Sequence, residues 1–221
     1  MTIQVKICGI SSADAADAAV GAGADFAGLV FHPRSPRRVA VEQAAHLSAR
    51  LRGKVRIVAL FSDPNDDELA AAIAAAQPDF LQLHGQEAPA RAAEIRSRFG
   101  RPVIKAVPVA DADDLACVPQ WERVVDMLLF DAKPPRGATR EGGHGAAFDW
   151  QLLRSRTFKR PWLLAGGLNT ENVARAIRVA EAKAVDVSSG VETAPGVKDA
   201  ELIKRFVASA RAALFAREAS A

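Results

Sequence analysis

A thiol, a carboxylate and two pairs of small residues stand at the ends of short apolar runs, and each could do chemistry there. Cys8 closes Val5-Lys6-Ile7-Cys8 ahead of a turn glycine, Gly9. Side chains alternate along a strand, so Lys6 shares the face of Cys8, and a cation one layer below favours the thiolate. Without such a neighbour, a strand cysteine is usually just a small buried hydrophobe; Cys117 has none and reads as inert. Asp131 closes Asp126-Met127-Leu128-Leu129-Phe130. It could form a turn, but Ala132-Lys133-Pro134-Pro135 and the glycine-rich stretch Gly137 to Gly145 resemble an active-site loop. One potential base and one potential acid at a common mouth are what a proton-shuffling isomerase needs.

Other strand ends suggest ligand contacts. Leu163-Leu164-Ala165 runs into Gly166-Gly167, with Asn169 expected to cap the next helix, and Asp186-Val187-Ser188 runs into Ser189-Gly190. Glycines let backbone N–H groups approach an anion, and a helix N-terminus adds partial positive charge, so a phosphate is expected at Gly166, Gly167, Ser189 and Gly190. The proline-stiffened segment His32-Pro33-Arg34-Ser35-Pro36-Arg37-Arg38 could hold a guanidinium fork against a carboxylate. Gln82 and His84 share a face with Phe80 and are assigned, with Arg37, to substrate contact; His84 is read as hydrogen-bonding a neighbouring strand end.

These residues need a scaffold that gathers strand ends. Eight short runs rich in Val, Ile, Leu or Phe begin near Val5, Phe26, Val55, Asp79, Val103, Asp126, Pro161 and Ala184. Alanine-rich stretches of helical spacing separate them, such as Asp14 to Ala22 (capped by Ser11 or Ser12), Val41 to Leu51, and Glu171 to Val179. That cadence predicts an α/β fold, a single (β/α)8 barrel, whose chemistry lies at the C-terminal strand ends. Residues 1–221 read as one domain, with the last few as a disordered tail. Strand eight closes against strand one, which places Asp186 where it can pair with Lys6, a lysine that cannot stay charged inside a barrel alone.

Composition narrows the partners. The 29 basic and 26 acidic residues are interspersed and leave a net charge of +3. No long basic run flanked by aromatics suggests nucleic acid. Two cysteines and four isolated histidines make no metal motif, so neither metal nor cofactor is expected. No signal peptide is read before Lys6, and no apolar run is long enough to span a membrane. The reading is of a cytoplasmic protein, monomer or homodimer, acting on a small anionic molecule.

With these segments in view, the chain resembles the phosphoribosylanthranilate isomerase family of tryptophan biosynthesis along almost its whole length. The matching segments are Lys6-Ile7-Cys8-Gly9-Ile10, Gly28-Leu29-Val30-Phe31 with Pro33 and Ser35 through Arg37, and Gln82-Leu83-His84-Gly85. They continue with Leu129 through Lys133, Phe148-Asp149-Trp150, Gly166-Gly167-Leu168-Asn169, and Asp186 through Glu192 with Pro195-Gly196 and Lys198-Asp199. The resemblance implies Cys8 as general base, Asp131 as general acid and Arg37 on the anthranilate carboxylate. It also implies an Amadori rearrangement of a phosphorylated substrate without redox step or metal. One departure is Gly142-Gly143-His144-Gly145, where the family has Ser or Thr in place of His144. Competing readings are a histidine-pathway phosphosugar isomerase, for which Cys8 is the wrong residue, and an inactive barrel kept as a binding protein.

Overall fold

The computed structural model describes residues 2–133, 147–154 and 156–213. The glycine-rich loop with His144 and the expected C-terminal tail lie outside the described residues. Eight parallel strands close into a barrel in sequence order. They are β1 (Gln4–Cys8), β2 (Phe26–Val30), β3 (Arg56–Phe61), β4 (Phe80–Leu83), β5 (Val103–Val109), β6 (Met127–Ala132), β7 (Trp162–Leu164) and β8 (Ala184–Val187). Helices α1 (Ala13–Gly21), α2 (Val41–Leu51), α3 (Asp66–Ala76) and α4 (Pro89–Phe99) follow the first four strands. The β5–β6 connection has only a 3₁₀ turn and the short α5 (Val118–Trp121); α6 (Val173–Ala180) and α7 (Ala200–Ala212) complete the set. No described helix is long and apolar enough to cross a membrane.

Local signals set these boundaries. Ser12, the second of the two candidate caps, accepts from Ala15 N and starts α1. Asn65 and Glu68 form a reciprocal capping box on α3. The alanines of α1, α3 and α6 turn inward: Ala16, Ala19, Ala72, Ala76, Ala176 and Ala180 are all buried. Small side chains let these helices lie close on the outer faces of the strands.

Four strands, β3, β4, β6 and β7, start one residue later than their apolar runs suggest, and at β4 and β6 a carboxylate accounts for it. Asp79 Oδ2 accepts from Ile57 N at 2.7 Å, and Asp126 Oδ2 from Val103 N at 2.9 Å. Asp25 does the same for Val5 N at 2.8 Å. Each carboxylate thus latches an odd strand to the even strand after it, at the end of the barrel away from the chemistry. Among the described residues the β7–β8 seam has no such latch, because Lys183 precedes β8. That seam is also the slightest, with a single register pair, Leu164 with Val185.

Alternation sorts the remaining side chains. Val5 and Ile7 face the helix layer, while Phe26, Val58, Ile104, Met127, Leu129 and Leu163 pack inside the barrel. Lys6 is inside too, fully buried. Gly28 makes room for it: a Cβ there would lie 3.0 Å from Cys8 Sγ and 3.3 Å from Lys6 Nζ.

Candidate active site

The barrel register brings Lys6 opposite Asp186, and Lys6 Nζ donates to Asp186 Oδ1 at 2.8 Å. The ion pair expected from strand closure is therefore present. Burial lowers the Lys6 pKa, but Asp186 and Cys8 together outweigh it and hold the ammonium above its ordinary value. Cys8 lies one layer higher, 5% exposed, in a pocket lined also by Arg37, Gln82, His84, Asp131, Asp186 and Ser188.

Lys6 alone does not decide the ionisation of Cys8. Burial pushes the thiol above its ordinary range; Lys6 and Lys198 pull it down, but Asp186 opposes them, and the balance stays on the neutral side. Lys6 acts in the expected direction, yet its own counter-ion cancels part of the effect. Alkylation of the unliganded protein by iodoacetamide should accordingly be slow near neutral pH and accelerate as pH rises through and beyond the ordinary thiol range. Mass analysis of the Cys8 peptide measures this, and fast, pH-independent labelling near neutrality would contradict it. Cys117 sits in the 3₁₀ turn Asp113–Cys117, half-buried, with its thiol also pushed up by burial.

Asp131 ends β6 across the mouth from Cys8. Its Oδ1 accepts from Ala132 N at 2.8 Å, and Oδ2 lies 3.3 Å from His84 Nε2. Gln82 Nε2 lies 3.1 Å from His84 Nδ1, which leaves His84 Nε2 facing Asp131. His84 thus contacts a strand end, though one two strands away round the ring. Gln82 Oε1 is buried with no hydrogen-bond partner among the described residues.

Two buried clusters were missing from the sequence-based site. Glu87 Oε1 accepts from Asp63 N and Gly85 N, while Lys105 Nζ donates to both Glu87 Oε2 at 2.6 Å and Gly85 O at 2.7 Å. This clamps the peptide units that follow His84. Beyond β8, a hairpin of β9 (Glu192–Ala194) and β10 (Val197–Lys198) packs against the segments that follow β1 and β2, at Ser11, Pro36 and Arg37. Glu192 accepts from Arg37 Nε and Nη2, each at 2.7 Å, and from Lys198 Nζ at 2.6 Å. The charge in the middle of Val103-Ile104-Lys105-Ala106-Val107 was a legible sign that Lys105 needed a partner; nothing local identified Glu87.

The glycine segments meet as expected, with two corrections. Gly166 and Gly167 both have positive φ, and a Cβ on Gly190 would lie 1.9 Å from Leu168 O, so the loops after β7 and β8 pack backbone to backbone. Asn169 caps a turn, accepting from Glu171 N and Asn172 N, and α6 begins only at Val173. After β8 the chain enters a single 3₁₀ turn, Ser189–Val191, and then the hairpin, before α7.

Residues 5–209 match the family model for N-(5′-phosphoribosyl)anthranilate (PRA) isomerase. The chain belongs to the phosphoribosylanthranilate isomerase family. It is thereby an isomerase enzyme of tryptophan biosynthesis. The N-(5′-phosphoribosyl)anthranilate isomerase of Rhodopseudomonas palustris strain BisA53 is 53% identical over 212 residues, covering 96% of this chain and 97% of that protein. The enzyme of Paracoccus denitrificans is likewise 53% identical, covering 96% and 99%. Among solved structures, the phosphoribosylanthranilate isomerase of Thermotoga maritima superposes with a TM-score of 0.83 at 38% identity, covering 94% of this chain and 98% of that one. A phosphoribosylanthranilate isomerase solved with reduced 1-(o-carboxyphenylamino)-1-deoxyribulose 5-phosphate has a TM-score of 0.81 at 36% identity, with the same coverage. The substrate of this family is thus a small phosphorylated molecule. Among the described residues, no group of three or more His, Cys, Asp or Glu side chains is placed to hold a metal ion.

Proposed function

We propose that the phosphoribosylanthranilate isomerase activity of this chain runs on Cys8 as general base and Asp131 as general acid. The observation that carries this reading is one pocket at the C-terminal strand ends lined by Cys8, Asp131 and Arg37 together. Asp131 protonates the ribose ring oxygen of N-(5-phosphoribosyl)anthranilate, the C1–O bond breaks, and the nitrogen lone pair forms a cationic Schiff base. Cys8 as thiolate then takes the C2 proton. The C2–H electrons form the enolamine and neutralise the nitrogen, and tautomerisation gives 1-(2-carboxyphenylamino)-1-deoxyribulose 5-phosphate. The nitrogen acts as electron sink, so the scheme uses neither cofactor nor metal.

In this reading Arg37 receives the anthranilate carboxylate. Gln82 lines the same pocket beside His84 and is taken as a substrate contact. His84 lies beside Asp131, lines the same pocket and is taken as a substrate contact. The phosphate lies between Gly166-Gly167 and Ser189-Gly190, held by backbone N–H groups. With the helix of α6 starting late and only a 3₁₀ turn after β8, these amides carry the site more than any helix dipole. The whole chain is taken as one barrel domain, cytoplasmic, monomer or homodimer, with no nucleic-acid or membrane partner.

Complementation of a tryptophan auxotroph lacking only this isomerase tests the activity. A crystal grown in inorganic phosphate tests the orientation: the anion is expected between the two loops, within hydrogen-bond distance of backbone nitrogens. An anion bound instead at the Arg37 side of the mouth would reverse the substrate in the pocket and sink the assignment of roles.

A further inference from the structure

The Arg37 guanidinium is 7% exposed, and its contacts are committed in an uneven way. Nε and Nη2 lie on the two oxygens of Glu192 as a parallel fork, which fixes the guanidinium plane as a single hydrogen bond would not. The fork occupies the Nε–Nη2 edge, and Arg37 also lines the pocket that holds Cys8 and Asp131. Glu192 is itself anchored: its side chain is 4% exposed, Gly196 N donates to Oε2 at 3.2 Å, and Lys198 Nζ reaches Oε1. Lys198 also donates to Ser188 O, and Ser188 Oγ to Cys8 O, so the grip on Arg37 is continuous with the backbone of the thiol.

The charges are unbalanced in the same direction. Two buried cations, Arg37 and Lys198, share one buried carboxylate. These two partners hold the Glu192 carboxyl below its ordinary range against the burial that would raise it. One positive charge is left over, and a ligand carboxylate on Arg37 makes two anions for two cations.

We propose that Glu192 is the positioning residue that gives this site its preference for a carboxylated aminoaryl group. It grips one edge of Arg37 and so aims the other at the substrate. This rests on the reading that Arg37 receives the anthranilate carboxylate. Sequence reasoning did not reach it, because Glu192 and Arg37 are 155 residues apart and meet only when the hairpin packs against the segment after β2.

The test is a ratio of two affinities measured by calorimetry. One probe is the reduced product, 1-(2-carboxyphenylamino)-1-deoxyribitol 5-phosphate; the other is the same compound without the ring carboxylate. Glu192→Gln is expected to cut the preference for the carboxylated probe about tenfold, the scale of one charge-assisted hydrogen bond, and to leave the other probe's affinity unchanged. Glu192→Asp keeps the charge but draws the fork back by one methylene; it should also lower the ratio, and it serves if Glu192→Gln does not fold. Arg37→Ala is the control and should abolish the preference. If Arg37→Ala keeps the wild-type ratio, the carboxylate assignment itself is wrong. If Arg37→Ala abolishes it while both Glu192 variants keep it, the assignment stands and the positioning role is overturned. Equal weakening of both probes in the Glu192 variants would also overturn it, leaving Glu192 as structural support only.

Discussion

Replacing Cys8 by alanine, or Asp131 by asparagine, is expected to reduce turnover by ~10²–10⁴-fold, the usual cost of losing a positioned base or acid. Both act on proton transfers, so the loss should fall on kcat and kcat/KM together, with KM little changed. The variants should fold. Cys8 is a small side chain beside Val30 and Leu60, where alanine leaves only a minor void, and Asn retains an oxygen for Ala132 N. The two should also differ. Asp131→Asn blocks ring opening, so no Schiff base forms, whereas Cys8→Ala still permits opening and halts before C2 deprotonation. Rapid-quench or absorbance measurements on a single turnover distinguish these stages. Near wild-type turnover in either variant would remove that residue from the mechanism.

A second large effect is expected in stability. Asp186→Ala leaves the Lys6 ammonium fully buried without its counter-ion. Breaking a buried pair by removing one partner costs about 3–5 kcal/mol, which for a chain of this size corresponds to a fall in Tm of roughly 10 °C. Thermal denaturation followed by circular dichroism reads it directly. The double variant Lys6→Met with Asp186→Leu removes both charges and keeps the volume, so it should recover most of the loss. A single variant that melts with the wild type would show that the pair does not keep Lys6 inside the barrel.

Much of this architecture is legible in the residues because each strand is buried on both faces and reads as a continuous apolar run. Cys8, Asp131 and the pairs Gly166-Gly167 and Ser189-Gly190 are visible for the same reason: they interrupt those runs at the end where a barrel keeps its chemistry. The strand starts at Asp79 and Asp126 are misplaced by one residue because a carboxylate that captures the backbone of the previous strand looks, in one dimension, like the first residue of its own. The state of the Cys8 thiol is not legible, since alternation reveals Lys6 as a neighbour but not the sum of burial, Lys6, Asp186 and Lys198. Nor is the Arg37–Glu192–Lys198 cluster, whose members are brought together by tertiary closure alone. Lys105 is an intermediate case, in which an isolated charge in an apolar strand announces a partner without naming it.

The uneven stitching of the barrel wall has a consequence for how the protein handles its ligand. Carboxylate latches fasten β1 to β2, β3 to β4 and β5 to β6, and the wall is thinnest between β7 and β8, directly beneath the loops proposed to hold the phosphate. A phosphate held there by amides from both loops would bridge that gap from above, so that the cargo would complete the wall of its own container.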